Sequence, residues 1–220
     1  MAIGDRGLVE LDALDVVGHR ASGLGHEGHP MRVMTRRAAG LTGEPWDAAA
    51  RQEVADFFDA LAPEWHTRTS PERLAVVRDA LTRGPVPAGT LALEVGSGIG
   101  AYSSLLAERF LDVISLEIAV EMLRRAPAGP AHRVLADAAD LPVAVAAADA
   151  VVLVNAFLFP AEVDRVLGAT GRVVWVNSSG DQTPIHLRSS EVAAALPGRW
   201  SGTAGRAGAG TWCVLHRDDP

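Results

Sequence analysis

At 220 residues the chain suits one full domain behind an N-terminal extension, and its 48% hydrophobic content excludes global disorder. The formal net charge of −7 gives no electrostatic pull toward nucleic acid, and no apolar run reaches the roughly 18 residues of a membrane span. All 20 cationic residues are arginine, and one cysteine, Cys213, leaves neither an intrachain disulfide nor a four-thiolate zinc site open.

Residues 1–45 read as an extension that is flexible in part. A short amphipathic piece is expected over Leu8 to Val17. The run from His19 to Pro30 follows, rich in glycine and carrying His19, His26, Glu27 and His29. These are metal-ligand residue types. The glycines around them favour a mobile linker with solvated imidazoles, so no metal is expected. Residues 46–87 predict two helices that cover a site. Asp47 caps the first, with Val54, Phe57, Phe58, Leu61 and Trp65 on one face and Pro63 near its end. Ser70 caps the second, Pro71 to Arg83, with Leu74, Val77 and Leu81 on one side.

From residue 88 to residue 220 strand and helix alternate, which predicts a parallel sheet covered on both faces. Strands are expected at Thr90–Val95, Asp112–Glu117, Arg133–Ala136, Ala150–Val154 and Arg172–Val176. Helices are expected at Ala101–Phe110, Ala119–Arg125 and Ala161–Leu167, with a further one capped by Ser189 or Ser190. Strand candidates near Trp200 and over Thr211–His216 flank a glycine-rich interval, Gly202 to Gly210, that reads as a loose hairpin connection.

Chemistry concentrates after the first of these strands. Gly96-Ser97-Gly98-Ile99-Gly100 lets the backbone approach a ligand closely and feeds a helix start, whose unpaired N–H groups face that ligand. With Ala101 the turn also fits a dinucleotide fingerprint. Glu117, 21 positions after Gly96, can hold ribose hydroxyls in either case. Two acids separate the alternatives. Glu94, inside the strand, either orders the turn or meets a cationic ligand end, and a pyrophosphate site has no use for it. Asp137, after the third strand, is placed to accept from an exocyclic amine such as adenine N6.

These segments, with Asp137-Ala138 before Leu141-Pro142 and Asp149 opening the fourth strand, resemble the ordered motifs of class I S-adenosylmethionine-dependent methyltransferases over about residues 90–177. The resemblance implies an α/β, Rossmann-like fold: a mostly parallel seven-stranded sheet with helices on both faces and an antiparallel last strand beside the fifth. It implies S-adenosyl-L-methionine as cofactor, with S-adenosyl-L-homocysteine as product. Glu94, Gly96, Ser97, Gly98, Gly100, Glu117, Ile118, Asp137, Ala138 and Asn155 would line the cofactor site. Ala148 before Asp149, and Ala169-Thr170 before Gly171, depart from common family patterns.

An acceptor site is expected above the fourth and fifth strands. His186 and Asn155 are the catalytic candidates, and Trp65, His66, Phe157 and Asn177 the substrate-binding ones. The segment Asn155-Ala156-Phe157-Leu158 resembles small-molecule enzymes of the family and lacks the Asn-Pro-Pro-Tyr sequence linked to amino-group methylation. The expectation is thus a cytoplasmic small-molecule methyltransferase, monomer or homodimer, that engages neither nucleic acid nor membrane. The alternatives are a cofactor-binding, non-catalytic partner subunit and an NAD(P)-dependent reductase. The reductase is disfavoured because the sole tyrosine, Tyr102, falls in the first helix.

Overall fold

Side chains alternate between the two faces of a strand, and in this chain both sets are apolar. A computed structural model describes residues 2–3 and 7–218. The chain opens with β1 (Ala2–Ile3), β2 (Leu8–Glu10) and α1 (Pro30–Ala38), and continues through α2 (Ala48–Leu61) into a 3-10 turn, Ala62–Arg68. Then follow α3 (Pro71–Arg83), β3 (Gly89–Val95), α4 (Ser103–Ala107), β4 (Phe110–Glu117), α5 (Val120–Arg125) and β5 (His132–Leu135). The last part is β6 (Ala148–Val154), α6 (Pro160–Val166), β7 (Leu167–Asn177), α7 (Ser189–Ala195), β8 (Trp200–Ala207) and β9 (Gly210–Arg217). Among the described residues no helix is long and apolar enough to cross a membrane.

Leu93, Val151, Leu153, Val173 and Trp175 point to one face of the sheet, where α1, α2, α6 and α7 bring Met31, Val54, Val163 and Val192. Their neighbours Ala92, Ala150, Val152, Val174 and Val176 point to the other, against Val76 and Val77 of α3 and Leu105 and Leu106 of α4. The caps stand where the sequence puts them: the Asp47 carboxylate accepts from the Ala50 N–H at 2.9 Å, and the Ser70 hydroxyl from the Arg73 N–H at 3.4 Å.

Strand order is β1-β2-β8-β9-β7-β6-β3-β4-β5. β3 to β7 are mutually parallel, and β9 is antiparallel to both β7 and β8. The class of fold is the expected one, but among the described residues the sheet has nine strands where seven were expected. The addition lies in the N-terminal segment. Leu8–Glu10, anticipated within an amphipathic piece, instead pairs in parallel with Gly202–Ala204 and extends the β8 edge. Three residues are too few to reveal a helical or a strand period.

Two further expectations fail for physical reasons. Gly202 to Ala207 is strand, not a loose connection, and only Gly208-Ala209 separate β8 from β9. The glycines there make room: a Cβ on Gly205 would lie 2.5 Å from the Trp212 ring. The histidine-rich run is not a free linker either. Ser22 donates to the Gln182 carbonyl at 2.6 Å, and His29 Nδ1 accepts the Met31 N–H at 3.1 Å as the N-cap of α1.

Candidate functional site

β3 and β4 lie side by side and end together, with Val95 paired to Leu116. The chain leaves β3 through Gly96, Gly98 and Gly100, whose φ values of 67°, 56° and 75° disfavour any residue with a side chain. Gly96 is fixed twice over, because a Cβ there would sit 2.7 Å from the Ala156 Cβ. The N–H groups of Gly96 and Ser97 both donate to the Leu116 carbonyl, at 2.8 and 3.1 Å, tying the turn to the tip of β4.

Glu117 closes that tip. Its Oε2 accepts the Gly98 N–H at 2.7 Å, and its Oε1 accepts those of Ile118 and Ala119 at 2.9 and 2.8 Å. Burial pushes its pKa up, and the three backbone bonds pull it part of the way back. A carboxylate offers about four acceptor positions. Three are taken, so one lone pair on Oε2 stays free for a ligand hydroxyl.

Asp137 follows β5. Its Oδ1 accepts the Ala139 N–H at 2.9 Å, and Trp46 Nε1 donates to its Oδ2 at 3.3 Å. The Ser97 hydroxyl is buried without a partner. Gly96, Ser97, Gly98, Glu117, Ile118 and Asp137 line one cavity of about 930 Å³ including its mouth, within the usual range for ligand pockets. Ala138, Asn155 and Phe157 line it too.

A second cavity, of about 850 Å³ with its mouth, shares Phe58, Trp65, Arg68, Arg73, Asn155 and Ile185 with the first. Leu24, His29 and Met31 of the N-terminal segment and Phe57 of α2 also wall it. Asn155 marks the junction. It holds a φ of 51°, its Oδ1 accepts the Ser178 N–H at 2.8 Å, and its Nδ2 donates to the Ser178 hydroxyl at 2.8 Å. With both ends committed it clips the loop after β6 to the loop after β7.

Five residues expected at the site lie outside both cavities. Glu94 faces α4 and β4: its Oε2 accepts the hydroxyls of Ser103 at 2.5 Å and Ser115 at 2.6 Å, so it orders the start of α4. Burial raises its pKa above the ordinary range. Gly100 shapes the turn from behind, and His66 is exposed on the 3-10 turn. Asn177 is fully buried, bonding the Trp175 indole at 2.9 Å and the Ile185 carbonyl at 2.7 Å. His186 feels Arg32, Glu191, Asp181 and Arg188 rather than the cavities, and burial lowers its pKa. Asp149 likewise sits at the opposite end of the sheet, accepting from the N–H groups of Thr90 and Leu91 at 2.6 and 3.0 Å.

Other residues join unannounced. Trp46 caps Asp137, and Arg68 and Arg73 line both cavities. Arg73 is close enough to act on Tyr102, a lining residue whose phenol burial pushes up to about 12. In the sequence nothing distinguishes these arginines from the other 18 of the chain's 20.

Residues 93–177 match the sequence model of a methyltransferase domain. Among solved structures, an S-adenosylmethionine-dependent methyltransferase from Aquifex aeolicus superposes with a TM-score of 0.57 at 16% identity, over 70% of this chain and 97% of that one. A protein from Methanococcus maripaludis assigned as an S-adenosyl-L-methionine-dependent methyltransferase gives 0.53 at 16% identity, over 80% and 96%. One from Sulfolobus solfataricus assigned as a type 11 methyltransferase gives 0.51 at 17%, over 60% and 86%. These share the fold. This chain spans 46 to 66% of the length of five further solved chains. No curated protein matches.

Proposed function

We propose, from the premise that residues 93–177 are a methyltransferase domain of the class I, S-adenosylmethionine-binding kind, that the chain transfers a methyl group to a small molecule held in the second cavity. The observation that carries this is the convergence of Glu117, Asp137 and the glycine turn on one cavity that opens into another. In this reading residues 88–220 hold the cofactor, and the helices of residues 46–87, with part of the preceding extension, cover it.

The residues present fit the cofactor. The unpartnered Ser97 hydroxyl and the free lone pair of Glu117 are polar atoms that need a ligand, and Glu117 and Asp137 bring negative charge near a cationic one. Glu117 would take a ribose hydroxyl and Asp137 the adenine amine. Arg73, beside Tyr102 and behind the glycine turn, would take the carboxylate of the methionine end. When bound, S-adenosylmethionine supplies a methyl carbon on a sulfonium, which an acceptor lone pair displaces in line, the C–S electron pair returning to sulfur.

The protein's share is alignment and the exclusion of water, which together reach roughly 7–11 kcal/mol when orientation is good. The Asn155–Ser178 clip fixes the wall where the two cavities meet, and Trp65 roofs it. Proton abstraction has a weaker basis. Tyr102 is held protonated, and His29 spends Nδ1 on the Met31 N–H, so its neutral ring carries the proton on Nε2 and acts as a donor. Neither side chain is therefore assigned as a base.

Calorimetry with S-adenosylhomocysteine, followed by methyl-labelled S-adenosylmethionine and a small-molecule panel, tests the assignment. Saturable binding that Glu117→Ala abolishes supports it. Absence of binding to either nucleoside at millimolar concentration would end it.

A further inference from the structure

The chain carries 27 acidic residues against 20 arginines, yet the second cavity is cationic. Among the described residues Arg68 and Arg73 line it, and no carboxylate does. The first cavity differs, since Glu117 and Asp137 there offset the same two arginines. Arg73 spends one donor on the Arg68 carbonyl at 2.6 Å. The Arg68 guanidinium stacks on the Trp65 ring, 5.5 Å from its centroid. Among the described residues it makes no hydrogen bond and no ion pair, so its planar fork of donors is uncommitted. Ser179, 2% exposed, lines the same space, and its buried hydroxyl has no partner among the described residues. His29 adds an Nε2–H donor. The remaining wall is apolar, with Phe57, Phe58 and Leu61 from one side and Met31 from the other.

Two guanidinium groups facing one partly closed, apolar-walled space repel each other and are only partly hydrated, and an anionic occupant relieves both penalties. The cofactor's single carboxylate can satisfy one of them. We propose that the methyl acceptor is a small carboxylate with an apolar body: its carboxylate lies on Arg68, its body packs against Phe57, Phe58 and Leu61, and Ser179 receives a further polar group. The proposal rests on the methyl-transfer reading above.

The test uses the full-length chain saturated with S-adenosylhomocysteine, so that the cofactor's own demand for a guanidinium is already met. Matched arylalkyl carboxylates and their primary amides, 3-phenylpropanoate and 3-phenylpropanamide among them, are titrated by calorimetry. The carboxylates are expected to bind about tenfold tighter than the amides, as suits one charge-assisted contact. Arg68→Gln should erase that preference and Arg68→Lys should restore part of it, with both variants still binding S-adenosylhomocysteine. Equal affinity within the pairs, failure of every carboxylate to bind, or a preference that survives in Arg68→Gln overturns the proposal. Failure of S-adenosylhomocysteine to bind sinks the cofactor assignment instead, and the carboxylate titration repeated without it still reads the anion site.

Discussion

The two cavities adjoin but are built differently. The first is made of strand tips: β3, β4, β5 and β6 end on one edge of the sheet, and each contributes the residues just beyond its last paired position. The second is made of pieces far apart in sequence, bound by contacts such as that of Ser22 with the Gln182 carbonyl, 160 positions away. Sheet register places the first, whereas the second depends on how residues 22–73 pack across the top. On the function proposed above, cofactor chemistry, common to many reactions, would sit on the strand tips, and acceptor choice on the part that can vary.

The strongest way to separate them is Gly96→Val. The substitution demands a φ near 67° from a β-branched residue and drives a Cβ toward that of Ala156. Strain and overpacking of about 1–3 kcal/mol each should weaken S-adenosylhomocysteine binding by more than about 100-fold. The second cavity receives nothing from Gly96, so the carboxylate preference measured without cofactor should persist. Loss of both would show that the cavities are one cooperative unit.

Glu117 comes next. Glu117→Ala leaves three backbone N–H groups unpaired and would remove the proposed ribose contact, which should lower affinity for the nucleoside by about 10- to 100-fold. Glu117→Gln should rescue little of it. All three protein partners are donors, so an amide NH2 in place of either oxygen sets donor against donor. A Gln variant that binds like the parent would mean that Glu117 serves the ligand rather than the turn.

These two sites were legible because their spacing follows from local geometry. A strand end, a glycine turn and a helix start lie within a dozen residues, and Glu117 and Asp137 recur at the ends of the next two strands. The strands themselves were legible because both faces are apolar, as in Ala150 to Val154. Glu94 was legible as an acid but not in its direction, since only the packed structure shows that Ser103 and Ser115 wait for it. His186, His66 and Asn177 carry suitable chemistry at suitable positions, yet loop packing turned them elsewhere. Arg68 became visible only through its folded setting, stacked on Trp65 in the wall of both cavities with no ion pair among the described residues. A charge left without its counter-charge is a property of the folded neighbourhood and has no sequence pattern.

A smaller effect is expected at the wall between the cavities. Asn155→Gly keeps the positive φ at no strain but removes both bonds to Ser178. Nucleoside affinity should change less than about twofold, while single-turnover methyl transfer with saturating acceptor should slow by about tenfold through lost alignment. An unchanged rate would place the shared wall elsewhere.

The smallest effect concerns how firmly the second cavity is closed from the N-terminal side. His29 caps α1 through its unprotonated Nδ1, and burial, with the nearby His26 and Arg32, lowers its pKa below 6.5. The unfolded chain therefore takes up a proton at higher pH than the folded one. Stability from this group is fully present above about pH 6.5 and is lost as pH falls through the lower folded value. Protonated Nδ1 becomes a donor facing the Met31 N–H, so the cap fails, at about 1 kcal/mol. His29→Asn supplies a capping oxygen that does not titrate. Melting temperatures followed downward from pH 7 should diverge, the parent losing stability that His29→Asn keeps.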